Sequence, residues 1–356
     1  MGETTAGAVD PRDALENVES VIDDCFHAEW QRGGGFTEFD RVWKAAWRLS
    51  SGGRLPRSRL LLAAYDAFAE SAPPNDVIRG AAALELLHLG FFLHDDVIDR
   101  ALIRHGEANL VARMRNEALD RGAVEEEALH YGRSCAVLVG DLLIAAAHRL
   151  VGELDTAHER RRTMLGVLAE TASSAAAGEH SGALARLLRN ADEETILRAL
   201  EQRSTQHSFG AALRMGALLG GADVGTAVAL DIIGKTIGVA AQARDDVRGV
   251  FGDPDQDGRS GFSDLRQGKV TLLVVYARRD PGWQRVAHLF GRDDLREKDA
   301  ERLREVIAGS GALERVEYAI SSLADAARAS LRGAILPPSL VERLEATIAQ
   351  TTARSR

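Results

Sequence analysis

Two pairs of adjacent aspartates, Asp95-Asp96 and Asp245-Asp246, each close a long apolar segment, and that placement limits what the chain can become. The lead-in to the first pair, Ala81-Ala82-Ala83-Leu84-Glu85-Leu86-Leu87-His88, reads as a buried helix. A carboxylate carried into such surroundings is costly unless a positive group compensates it, and two neighbours cost more. Hard divalent cations are a natural compensation, because Mg²⁺ prefers oxygen ligands and keeps waters that substrate phosphates replace. In Asp95-Asp96-Val97-Ile98-Asp99 the outer carboxylates are four residues apart and share one helical face. For one pair alone, a solvated helix end is an equal alternative. Two pairs on separate apolar helices point instead to a metal-diphosphate site.

The remaining pattern is helical. Ala, Leu, Arg and Glu recur with apolar residues at three- and four-residue spacing, and no stretch alternates long enough for a strand. Gly33-Gly34-Gly35, Pro73-Pro74-Asn75, Gly220-Gly221 and Pro337-Pro338 punctuate it. The expectation is an all-α single domain over 21–350 after a flexible N-terminal segment, 1–20. Asn75 or Asp76 should cap the helix leading to the first pair. A chain of 356 residues with 45% hydrophobic content can bury a sizeable core. Its net charge of -9 excludes a general nucleic-acid binder. Cys25 and Cys135 give neither a disulfide framework nor zinc spacing, so a cytoplasmic location is expected. The most apolar windows, 77–93 and 136–147, are interrupted by charges or too short, so no membrane span is expected.

Further motifs flank the pairs. Glu85, His88 and His94 lead into the first, and Arg104-His105-Gly106 follows it. Then come Leu138-Val139-Gly140-Asp141-Leu142-Leu143, Gln242 before the second pair, Gly252-Asp253-Pro254 and Asp264-Leu265-Arg266-Gln267-Gly268-Lys269. In order and spacing, from about 51 to 273, the chain resembles the trans-isoprenyl diphosphate synthases, and among them the bacterial geranylgeranyl diphosphate synthases. The resemblance implies an all-α isoprenoid-synthase bundle around a deep apolar pocket. It implies a Mg²⁺-dependent prenyltransferase, with three ions per active site, that condenses isopentenyl diphosphate with an allylic diphosphate. The product would be geranylgeranyl (C20) or farnesyl (C15) diphosphate, and the enzyme a homodimer.

Residue by residue, the resemblance implies catalytic roles for Asp95, Asp96, Asp99, Asp245, Asp246 and Lys269, with Asp95, Asp99 and Asp245 on the metal. Arg54, Arg57, His88 and His105 would hold isopentenyl diphosphate. Arg104, Arg203, Arg259 and Lys269 would hold the allylic diphosphate, with Ser204 and Gln242 in support. Gly90 and Phe91, about one turn before Asp95, would face the growing chain and set its length. The chain departs from the family pattern at several positions. His105 replaces an Arg and Arg203 a Lys, Gly249 stands where a third carboxylate would repeat the first motif, and Ala241, Gln206, His207 and Val270 also differ. These departures leave two further readings open: a terpene-cyclase-like enzyme that ionises a prenyl diphosphate without coupling it, and a non-catalytic partner subunit of another synthase.

Overall fold

The chain folds into successive α-helices, as the recurrence of apolar residues at helical spacing requires. The computed structural model describes all residues except 1–10, 33–36, 51–54, 71–73, 105, 189–190, 205–207, 253–261, 293 and 354–356. The helices are α1 (Pro11–Arg32), α2 (Thr37–Ser50), α3 (Pro56–Phe68), α4 (Asn75–Ile98), α5 (Leu110–Asp120), α6 (Glu125–Gly152), α7 (His158–Leu188), α8 (Glu193–Ser204), α9 (Phe209–Gly220) and α10 (Val224–Phe251). After α10 come α11 (Ser263–Gln267), α12 (Leu272–Ala277), α13 (Trp283–Val286), α14 (Glu297–Gly309), α15 (Ala312–Gly333) and α16 (Pro338–Thr352). Among the described residues the strands are β1 (Ile103–Arg104) and β2 (Glu107–Ala108), a two-residue antiparallel hairpin.

Helix α4 is apolar on nearly every face and is therefore buried rather than amphipathic. It packs chiefly on α6, while α3 packs on α9 and α9 on α10. These helices form the larger core, around Leu84, Leu87, Leu143, Leu213 and Met215. A second core gathers the C-terminal end of α10 with α12 to α15, around Val250, Leu273, Trp283 and Leu303. The last turns of α4 and α10 carry the two aspartate pairs.

Three expectations are corrected. The N-terminal segment 1–20 is not loose throughout, because α1 begins at Pro11 and buries Ala14, Val18, Ile22, Cys25 and Phe26. Those residues form a helical stripe that the surrounding charges obscure. Neither Asn75 nor Asp76 caps α4, since the N-cap is Pro74 and Asp76 Oδ1 instead accepts the Asp155 N–H at 3.0 Å. By length and composition alone, α4, α6 and α10 are each long and apolar enough to cross a membrane, because each helix extends past its most apolar window. In the folded chain they are central helices of the bundle.

Cys25 and Cys135 are free and buried. Burial pushes the Cys25 thiol up to about 11 against the pull of Arg149, and burial raises Cys135 as well. A raised thiol pKa leaves the nucleophilic thiolate scarce until the pH approaches that value. The native protein at about pH 8 should therefore consume almost no Ellman's reagent, and denaturation should release both thiols; rapid labelling of native protein would contradict this burial.

Candidate active site

Helix α4 stops because Arg100 takes a left-handed φ of 54°. Its N–H donates to Val97 O (3.2 Å) and the Ala101 N–H to Asp96 O (2.9 Å), the paired closure of a Schellman turn. The chain then reverses through the hairpin, with Ile103 opposite Ala108 and Arg104 opposite Glu107. Asn109 braces the reversal: its Nδ2 donates to Ala101 O (2.8 Å), and its Oδ1 caps α5 by accepting the Ala112 N–H (3.0 Å). This route carries Arg104 back over the helix it has just left. Arg104 Nε and Nη2 donate to Asp96 Oδ1 (2.9 and 2.7 Å), and Nη2 donates to Asp95 Oδ2 (2.9 Å). The guanidinium also lies 4.3 Å from the centre of the Phe92 ring.

The two aspartates respond differently to this setting. Burial pushes Asp96 up to about 6, and the Asp95 charge adds to that while Arg104 opposes it. At Asp95 burial also pushes upward, but Arg104 and Arg203 outweigh it and hold the carboxyl below the usual range. Glu179 of α7 completes a cluster in which one oxygen each of Asp95, Asp99 and Glu179 lies within 4.8 Å of the others. Arg203 of α8 donates Nε to Glu179 Oε1 (2.8 Å), and Arg186 of α7 pairs with Asp99.

The second pair faces this cluster from α10. Gln242 Nε2 donates to Asp246 Oδ1 at 3.1 Å. Lys269 Nζ lies 3.0 Å from Asp246 Oδ1 and 3.6 Å from Asp264 Oδ2. Burial and Arg203 both lower the Lys269 ammonium, yet Asp246 and Asp264 prevail and raise it to about 12. Asp99, Glu179, Arg186, Arg203, Asp246 and Lys269 line a cleft that is partly open to solvent. Ile196, Ala199, Leu200 and Val270 form its apolar wall.

The charge balance indicates what the cleft can hold. Among the described residues, six carboxylates (Asp95, Asp96, Asp99, Glu179, Asp246 and Asp264) meet four cations (Arg104, Arg186, Arg203 and Lys269). The upward shifts of Asp96 and Glu179 reflect burial in this surplus of negative groups. Asp95 Oδ1 and Asp96 Oδ2 are buried without a hydrogen-bond partner among the described residues. Unpartnered carboxylate oxygens in an all-oxygen donor set fit a hard divalent cation.

The structure brings together Asp95, Asp96, Asp99, Arg104, Arg203, Gln242, Asp246 and Lys269, all expected site residues. It sorts the others differently. Asp245 sits on the rim, half-buried, 3.5 Å from Arg248, so Asp246 rather than Asp245 lines the cleft. Ser204 turns away, donating to Glu201 O (2.6 Å) and lining a separate polar hollow with Ser208 and Asp231. Arg57 is buried in an ion pair with Glu85 (3.1 Å), and Glu85 also accepts the Arg57 and Ser58 N–H groups at the start of α3. His88 is half-buried, 5.9 Å from the Phe92 ring. Arg54, His105 and Arg259 lie outside the described residues.

The two length-setting candidates are both buried in α4. A Cβ built on Gly90 would lie 2.7 Å from Ile144 Cγ1 and 2.9 Å from Gly140 O, so Gly90 packs against α6. Phe91 is buried within the larger core. Gly140 of the Gly-Asp motif makes room for the His94 ring, whose Nε2 lies 3.3 Å from Asp141 Oδ1.

Sequence reasoning missed Glu179, Arg186 and Asp264 as members of the site. Glu179 and Arg186 are isolated charges on a long helix with many of them, and only the fold sets them against α4. Asp264 had a signal, because it opens the Asp-Leu-Arg-Gln-Gly-Lys run that ends in Lys269.

Known proteins share this architecture. Residues 41–307 match the family model for polyprenyl synthetase. Geranylfarnesyl diphosphate synthase of Aeropyrum pernix is 32% identical over 67% of this chain and 70% of its own length. Geranylgeranyl diphosphate synthase of Methanosarcina mazei is 27% identical over 79% of this chain and 80% of its own. The crystal structure of geranylgeranyl pyrophosphate synthase from Corynebacterium glutamicum, complexed with isoprenyl diphosphate and magnesium, superposes with a TM-score of 0.88 at 23% identity. It covers 98% of this chain and 100% of that one, which establishes the shared fold.

Proposed function

We propose, from the premise that this chain belongs to the polyprenyl synthetase family, that it is a short-chain trans-prenyltransferase extending an allylic diphosphate with isopentenyl diphosphate. The observation that carries this reading is the single cleft in which both aspartate helices, a buried Arg and a buried Lys converge beside an apolar wall. Neither the cyclase-like reading nor the partner-subunit reading is favoured, since both acidic motifs retain their aspartates and the chain's relatives are named as prenyl diphosphate synthases.

Asp95 and Asp99 would hold Mg²⁺ at the cleft, with Asp245 on the facing rim. When bound, the metal supplies Lewis-acid neutralisation of the leaving diphosphate. Arg203 and Lys269 would bind the allylic diphosphate as the bond between its C1 and oxygen breaks. Arg is well suited to this because its planar fork donates two bonds at once. Arg104 holds the Asp95 and Asp96 carboxylates in one orientation. Ile196, Ala199, Leu200 and Val270 would shield the allylic cation from water while the isopentenyl double bond attacks it and a proton is then lost. We infer a C20 or C15 product, a cytoplasmic setting in keeping with two free thiols, and a homodimer. The exposed apolar side chains of Tyr131, Val137 and Leu138 along α6 support the dimer.

The test is to incubate purified protein with isopentenyl diphosphate, Mg²⁺ and each allylic diphosphate from C5 to C15, reading products by mass spectrometry. An elongated diphosphate, C20 or C15, is expected. No elongation with any primer would sink the reading.

A further inference from the structure

Gly249 stands four residues after Asp245, where a carboxylate would have repeated the spacing of Asp95 and Asp99. The fold fills that place from another element. A Cβ built on Gly249 would overlap the whole carboxyl group of Asp264, lying 2.7 Å from Oδ1 and closer still to its other atoms. Asp264 belongs to α11 and is 7% exposed. Its carboxylate can occupy this position only because residue 249 has no side chain.

Asp264 holds Lys269 twice. Its carbonyl accepts the Lys269 N–H at 2.9 Å, closing the end of α11 through Gly268, whose φ is 66°. Its carboxylate lies 3.6 Å from Lys269 Nζ, while Asp246 approaches the same nitrogen at 3.0 Å. An ammonium has three N–H donors in a fixed tetrahedral arrangement. Asp246 is close enough to take one of them, and Asp264 draws the charge from 3.6 Å, which leaves donors for the cleft that Lys269 lines.

We propose that Asp264, seated over Gly249, is a positioning residue that aims the Lys269 ammonium at the allylic diphosphate. The proposal rests on the reading of Lys269 as a group that binds that diphosphate. In this arrangement Gly249 is not a lost ligand. It is the space that lets a carboxylate from α11 stand where a fifth residue of the motif would have put one, turned toward a lysine.

Steady-state kinetics test this. Asp264→Asn keeps the shape and removes the charge; it is expected to raise KM for the allylic diphosphate about tenfold, with KM for isopentenyl diphosphate and Tm nearly unchanged. Gly249→Asp alone should abolish turnover, because two carboxylates then claim one volume. The transplant Gly249→Asp with Asp264→Gly should recover most of the allylic KM. A merely structural Asp264 would shift both KM values together or lower Tm without a split between substrates, and either result would overturn the proposal. So would an unchanged allylic KM in Asp264→Asn, or a transplant no better than Asp264→Asn. Lys269→Gln separates the two layers: if it leaves the allylic KM unchanged, the assignment of Lys269 itself falls.

Discussion

An Asp95→Ala variant is expected to lose prenyl transfer by a factor on the order of 10²–10³ while keeping its helical content and its Tm within a few degrees of the parent. The two halves of this expectation have separate causes. Activity falls because Asp95 offers a buried oxygen, Oδ1, that no described protein donor satisfies, in a cluster shared with Asp99 and Glu179. The fold survives because Arg104 keeps two bonds to Asp96 Oδ1, so no buried cation is stranded. Removing one of six clustered carboxylates also relieves repulsion, so Tm is expected to hold or rise, the usual trade between a strained site and stability. Calorimetry and product formation should be measured on the same preparation, and Mn²⁺ binding by electron paramagnetic resonance should weaken in parallel. Near-normal turnover would remove Asp95 from the metal site; collapse of the fold would mean that Asp95 serves structure first.

How much of this was legible beforehand depends on the distance between signal and partner. The Asp95–Asp99 spacing and the helical class are local, and spacing alone exposes them, whereas Lys269 and Arg203 enter only through the family resemblance. Arg104 is nearly local, because the Schellman turn at Arg100 and a two-residue hairpin return it to the helix it follows. Glu179, Arg186 and Arg203 are not local: they reach Asp95, Asp99 and Asp246 only after α7 and α8 pack across the bundle. The α1 stripe was hidden for a different reason. Ala14, Val18 and Ile22 are spaced as a buried face, but the acidic residues between them give the segment a polar average. Gly249 shows the limit most directly. A missing carboxylate in one dimension is a present one in three, supplied by Asp264 from the far side of a loop.

Gly90 carries the second large expectation, and it concerns stability. A reading from spacing places this residue one turn before Asp95, where bulk would shorten the product. The packing points elsewhere. Gly140 O sits 2.9 Å from where a Cβ would be, and a backbone oxygen cannot swing aside as the Ile144 side chain can. The approach is equally close from the other side, because a Cβ on Gly140 would run into the His94 ring of α4. The α4–α6 crossing is thus fixed by two facing glycines, and bulk at 90 must force the helices apart. Gly90→Leu is expected to cost about 3 kcal/mol, which lowers Tm by roughly 4 °C in a domain of this size. The milder Gly90→Ala should lose part of that stability and still yield the parental product lengths, because its methyl group points into α6. Thermal melts and product mass spectra on both variants decide between the readings. A Gly90→Ala protein with parental Tm and a shorter product would place this residue in the elongation pocket. A lowered Tm with unchanged products places it in the helix crossing, and leaves chain length to residues along the apolar wall beyond the diphosphate cleft.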